Sequence, residues 1–119
     1  MTPALPASEG FSYREHRLHC EEVALDTLAQ RYGTPLYVYS RSAIEGAYAA
    51  YASALKGRSA LVCDAVKANS NLAVLDVLAR RGAGFDIVSG GELARVLAAG
   101  GDASRVVFSG VGKSEVEIE

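Results

Sequence analysis

Three short apolar runs, each followed by a tight polar turn and then a helix-like stretch, constrain this chain more than any other feature. The first run is Ala60 to Val66, with a helix over Leu72 to Arg81 closed by Gly82. The second is Gly84 to Val88, with a helix over Glu92 to Ala99 closed by Gly100 and Gly101. The third is Arg105 to Phe108, with a helix beginning near Ser114. Strands of this length, alternating with amphipathic helices across short loops, specify a parallel sheet with right-handed crossovers. The expected fold class is therefore α/β. The period alone does not separate a closed barrel from an open doubly wound sheet.

The preceding segment reads differently. Phe11 to Leu18 alternates loosely, as a short strand or one arm of a hairpin does. Val23 to Tyr32 places apolar residues at Val23, Leu25, Leu28 and Ala29 and stops at Gly33, the pattern of an amphipathic helix. Thr34 and Pro35 punctuate, and Leu36 to Tyr39 is predicted as a compact aromatic and β-branched strand. Ser40 is the expected N-cap of an alanine-rich helix over Arg41 to Lys56 that ends at Gly57.

Composition removes several classes of function. With 22% charged residues and a net charge of −2, the chain lacks the electrostatic footprint of a protein that binds nucleic acid or an anionic membrane. No run approaches the roughly 20 apolar residues of a membrane-spanning helix. Met1 to Gly10 holds Pro3, Pro6 and Ser8 without a basic region, so it reads as a frayed polar start and not a secretory signal. A cytoplasmic setting follows, in which the isolated Cys20 and Cys63 are expected as free thiols. His16 and His19 lie away from any strand end and are expected on the surface, so no metal site is read here. Tyr37, Tyr39, Tyr48 and Tyr51 fall at strand and helix spacing and are expected as packing residues.

Chemistry gathers at the strand ends, where parallel α/β folds carry their sites. Lys67 closes the first run, and a lysine at the mouth of a buried strand is costly to desolvate. Amine chemistry with a carbonyl cofactor would justify such a residue; the ordinary alternative is a lysine that snorkels to solvent. Ala65 and Ala68 leave room around it, and Asn69, Ser70 and Asn71 supply polar groups at the next helix. Asp86 lies inside an apolar strand, where a carboxylate needs a partner such as a lysine or a cofactor group. The turn Ser89-Gly90-Gly91 opens a helix whose free N–H groups could hold an anion, or is a plain junction with Glu92 in the first helical turn. Gly112-Lys113-Ser114 ends like a phosphate loop, but Val107 stands where that pattern needs its first glycine, so a nucleotide site is not expected.

Three segments taken together are similar to a known family. They are Ala65-Val66-Lys67-Ala68-Asn69-Ser70-Asn71, Phe85-Asp86-Ile87-Val88-Ser89-Gly90-Gly91-Glu92-Leu93 and Val107-Phe108-Ser109-Gly110-Val111-Gly112-Lys113. From about Tyr32 to its end the chain resembles the fold-type III pyridoxal-phosphate decarboxylases, the family of the diaminopimelate, ornithine and arginine enzymes. Gly110-Val111-Gly112-Lys113, where ornithine-type members usually have Asn-Pro-Cys-Lys, favours the diaminopimelate branch. The resemblance implies part of a (β/α)8 TIM barrel of the alanine racemase-like type, without the C-terminal β domain that follows it in the family. Residues 41–119 would be the first part of the pyridoxal-phosphate barrel, about three of its eight βα units. Residues 1–40 would be a segment that associates with the β domain. Lys67 would form the Schiff base with pyridoxal 5'-phosphate, and Asp86 would lie close to that lysine and the cofactor. The implied reaction is decarboxylation of meso-diaminopimelate to L-lysine and CO2, the last step of lysine biosynthesis, in a homodimer. The alternatives are decarboxylation of another basic amino acid and a non-catalytic phosphate- or cofactor-binding module.

Two expectations qualify this. Asp64 stands where the family has Tyr or Phe, and strand alternation sends it away from Lys67 towards the helix layer, where a carboxylate lacks an evident partner. The run Lys113 to Glu119 reads as the opening of a helix, so the chain is expected to be an N-terminal fragment. Alone, it is expected to fold poorly and to be inactive, with an exposed strand edge and an unfilled interior.

Overall fold

The structure, a computed structural model, describes residues 9–119. The polar start expected over Met1 to Gly10 lies, except for its last two residues, outside them. The chain divides into two compact units, Met1–Gly46 and Ala47–Glu119.

In the first unit, β1 (Phe11–Arg14), β2 (Arg17–Cys20) and β3 (Val23–Ala24) form an antiparallel sheet in that order. Arg14 pairs with Arg17, leaving a two-residue turn in which Glu15 (φ 49°) and His16 (φ 62°) both adopt left-handed backbone. That geometry matches the twist of a hairpin but is normally signalled by Asn-Gly or Gly-Gly. The loosely alternating run is thus a full hairpin. Helix α1 (Leu25–Tyr32) starts two residues later than the apolar pattern suggests, because Val23 and Ala24 pair with Cys20 and His19. Exposed ion pairs join Arg14 to Glu22 and Arg17 to Asp26, where solvent screens them and they add little to stability.

The predicted strand over Leu36 to Tyr39 does not form. The segment pairs with no strand among the described residues, and Tyr37 is left 86% exposed. Aromatic and β-branched residues favour an extended chain, yet a strand needs a partner. Tyr39 and Tyr51 are exposed too, and of the four tyrosines expected to pack only Tyr48 is partly covered. Ser40, by contrast, is the predicted N-cap: its buried Oγ accepts from the Ala43 N–H at 3.1 Å, opening α2 (Arg41–Ala54). The helix closes at Ala54, two residues before Lys56. Glu21 also serves this end, accepting from the Ser42 N–H (2.8 Å) and the Ser40 hydroxyl (2.9 Å), which holds its carboxyl below the usual range. Gly10 admits this close packing, since a Cβ there would collide with the Ser40 side chain.

The second unit contains β4 (Cys63–Ala65), α3 (Leu72–Arg80), β5 (Gly84–Ile87), α4 (Gly90–Ala98), β6 (Val106–Phe108) and α5 (Glu115–Ile118). The strands are parallel in the order β4-β5-β6, as the βα period predicts. Register places Asp64 beside Phe85, which pairs in turn with Val106, and Ala65 beside Asp86, which pairs in turn with Val107. Since successive side chains alternate, the sheet has two distinct faces. One carries Phe85 and Ile87, which with Val66, Leu75, Leu78 and Val96 form the core between sheet and helices. The other carries Cys63, Ala65, Gly84, Asp86 and Val107, and Val107 is half exposed. Strand β4 is shorter than the apolar run that encodes it; just upstream of Cys63 the Val62 carbonyl accepts from the Gly84 N–H at 2.9 Å.

Helix α3 is capped by Asn71, whose Oδ1 accepts from the Ala73 N–H at 2.9 Å. Asn71→Ala is expected to lower unfolding free energy by about 1 kcal/mol, read from the denaturant midpoint at unchanged slope. Both cysteines are free thiols. No helix among the described residues is long and apolar enough to cross a membrane.

Candidate functional site

Ala65 ends β4, and the chain then tightens into a single 3₁₀ turn over Val66–Ala68. The turn rotates neighbours apart: Val66 is wholly buried, whereas Lys67 is exposed. Among the described residues, Lys67 makes no hydrogen bond or ion pair, and its turn packs against β5. Lys113 differs. Its Nζ donates to the Gly110 carbonyl at 2.8 Å and lies 5.1 Å from the centre of the Phe108 ring. Asn69 and Asn71, expected as polar groups near Lys67, serve the local backbone, since Asn69 Oδ1 accepts from the Asn71 N–H at 3.0 Å.

Asp86 is partly buried on the open face, next to Ala65 in the adjoining strand. Among the described residues it accepts from the Ser109 hydroxyl, which donates to Oδ1 at 2.5 Å. The Ser109 N–H also donates to the Ile87 carbonyl at 3.0 Å, tying the loop after β6 to the end of β5. Burial, and secondarily the Asp86 charge, push the Cys63 thiol up. Lys67, Asp86 and Ser109 thus occupy the C-terminal ends of three adjacent parallel strands.

The Ser89-Gly90-Gly91 turn is a capped junction. Ser89 Oγ accepts from the Glu92 N–H at 3.2 Å, and Glu92 Oε2 accepts from the Val88 N–H at 2.8 Å. The anion position at the first N–H is filled from within the chain: Glu117 Oε1 accepts from Gly90 at 2.7 Å. A carboxylate near the N-terminus of α5 was legible in the sequence, but its reach to α4, 27 residues earlier, was not.

Asp64 shares the face of Phe85, as strand alternation predicts. It is half-buried, has no hydrogen bond or ion pair among the described residues, and burial pushes its carboxyl up. His16 is exposed, while His19 is partly covered with Nδ1 3.0 Å from the Arg17 carbonyl. Among the described residues no group of three or more His, Cys, Asp or Glu is placed to hold a metal ion.

What the strand ends offer is a primary amine free to react, small neighbours at Ala65 and Ala68, and a carboxylate fixed by a hydroxyl. An exposed primary amine of this kind can bond covalently to a group that carries an aldehyde.

Comparison with known proteins points the same way. The family model described as pyridoxal-dependent decarboxylase, pyridoxal binding domain, matches residues 41–119. The chain is 69% identical over 104 residues to a diaminopimelate decarboxylase of Pseudomonas aeruginosa, covering 87% of this chain and 25% of that protein. It is 62% identical over 102 residues to the diaminopimelate decarboxylase of Neisseria meningitidis serogroup A, covering 86% of this chain and 25% of the relative. Among solved structures, diaminopimelate decarboxylase from M. jannaschii in complex with L-lysine superposes with a TM-score of 0.86 at 35% identity, over 92% of this chain and 27% of that one. The chain spans about a quarter of the length of the curated relatives it matches.

Proposed function

Because this chain belongs to the pyridoxal-dependent decarboxylase family, we propose that the whole protein removes carbon dioxide from meso-diaminopimelate and yields L-lysine, with Lys67 as the residue that carries the cofactor. The three βα units are part of a (β/α)8 barrel of the alanine racemase-like type. The observation that carries the reading is the unengaged Lys67 amine at the end of a parallel strand whose neighbour presents Asp86.

Pyridoxal 5'-phosphate, when bound, supplies an aldehyde for an amine and a ring that takes up the electron pair left by a departing carboxylate. Lys67 is the residue whose Nζ would hold that aldehyde, and Ala65 and Ala68 would leave room around the amine. Asp86, its Oδ1 held by Ser109, contributes a fixed negative charge at the same end of the sheet and favours protonated nitrogen nearby. The exposed tyrosines Tyr32, Tyr37 and Tyr39 suit residues 1–40 to packing against the family's C-terminal β domain. The family resemblance also supports a cytoplasmic homodimer.

The test is substrate competition in the whole protein loaded with pyridoxal phosphate. Carbon dioxide and L-lysine are expected from meso-diaminopimelate, with ornithine and arginine turned over at least roughly a hundredfold more slowly, as for a site built to bond the distal group of its substrate. Equal or faster turnover of ornithine or arginine contradicts the proposed substrate.

A further inference from the structure

Glu117 joins two loops that the proposed site depends on. Its Oε1 accepts from the Gly90 N–H at 2.7 Å, at the first residue of α4. Its Oε2 accepts from the Ser114 N–H at 2.9 Å and the Ser114 hydroxyl at 2.8 Å, at the start of α5. One carboxylate therefore spans the loop after β5 and the loop after β6. The Glu117 side chain packs against Gly90, where a Cβ would lie in ordinary contact, 3.4 Å from both Glu117 Cγ and Oε1. The same loops touch again where a Cβ on Gly110 would meet the Val88 carbonyl at 2.7 Å. Ser109 makes a third link, to the end of β5, its hydroxyl donating to Asp86 and its N–H to the Ile87 carbonyl at 3.0 Å.

Of these three links, only Glu117 brings an ionised group to backbone donors, the kind of hydrogen bond that is both short and strong. Those donors hold its carboxyl below the usual range. We propose that Glu117 is a positioning residue: its carboxylate locks the loops after β5 and β6 together and so fixes the Asp86–Ser109 pair at the strand ends. This rests on the reading of Lys67 and Asp86 as the cofactor-facing pair. Glu117 acts through Asp86 and touches neither cofactor nor substrate.

Glutamine is the sharp probe. Its amide oxygen can accept from one loop, but its NH2 group then faces the other loop's N–H, donor against donor. In the whole protein, Glu117→Gln is expected to raise amide hydrogen exchange about tenfold over Ser89–Gly91 and Ser109–Ser114, the scale of one lost charge-assisted bond. Exchange in the core of β5 should stay unchanged. In the cofactor-loaded protein, the visible absorption band of Lys67-bound cofactor should shift and kcat should fall with little change in KM. Glu117→Ala should loosen the same loops, and added formate, unlike formamide, should restore their protection.

Unchanged exchange in both loops overturns the proposal. Looser loops with an unaltered spectrum and kcat overturn it as well, reducing Glu117 to a helix cap. If the unsubstituted protein binds no cofactor at Lys67, the proposed function fails, and the positioning role fails with it whatever the exchange shows.

Discussion

Replacing Lys67 with alanine in the whole protein is expected to abolish covalent capture of pyridoxal phosphate and to lower decarboxylation by roughly a thousandfold or more, the scale seen when a covalent catalyst loses its nucleophile. Stability should be nearly untouched. Lys67 is exposed and makes no hydrogen bond or ion pair among the described residues, so alanine removes no packing and leaves no buried group unpaired. The buried member of that turn is Val66. A loss of activity with an unchanged unfolding midpoint is thus the expected pair of results. Lys67→Arg discriminates further, because it keeps the charge but not an amine able to bond an aldehyde, and it should be equally inactive. Retained turnover in either variant would remove Lys67 from the chemistry.

Asp64→Phe is expected to stabilise the protein by about 2 kcal/mol, since an unpaired half-buried carboxylate gives way to apolar surface on the core side of the sheet. Asp64 lies beside the wholly buried Phe85. Burial raises its folded-state pKa above the ordinary value of 3.8. Its contribution to stability is therefore most favourable below that value and is lost as pH rises through the raised folded-state pKa. Asp64→Asn should remove the pH-dependent part alone, while the phenylalanine variant adds burial of a ring at the position where the family usually has an aromatic. Denaturant midpoints followed from below the ordinary carboxyl value up to neutral pH separate the two contributions. Identical midpoints and slopes for all three proteins would show that Asp64 is solvated or paired.

The βα period and the strand-end residues were legible because they are local signals. Apolar runs, glycine stops and the Ser40 cap act within a few residues of the elements they define. Long-range relations were not. The Leu36–Tyr39 run has strand propensity but no partner, and propensity carries no information about a neighbour. The Glu15–His16 turn adopts left-handed backbone without glycine or asparagine, so its usual signal is missing. Glu21 and Glu117 look like ordinary surface carboxylates in sequence, yet each serves a helix end distant along the chain, and only tertiary placement reveals it. Lys67 ends the first apolar run as read from the sequence, and the 3₁₀ turn after Ala65, which leaves it exposed among the described residues, carried no sequence signal of its own. Asp86 was identified as a carboxylate needing a partner, but the partner is the Ser109 hydroxyl one strand away.

The central claim is that Lys67 is the cofactor-bearing amine of a pyridoxal-dependent decarboxylase barrel. Borohydride reduction of the whole protein with pyridoxal phosphate, followed by peptide mapping, tests it most directly. The chain has three lysines, Lys56, Lys67 and Lys113, so the adduct can be assigned without ambiguity within it. A stoichiometric pyridoxyl group on Lys67, with Lys56 and Lys113 unmodified, is the predicted result. An adduct on either of those lysines with Lys67 unmodified, or no adduct in this chain at all, would contradict it.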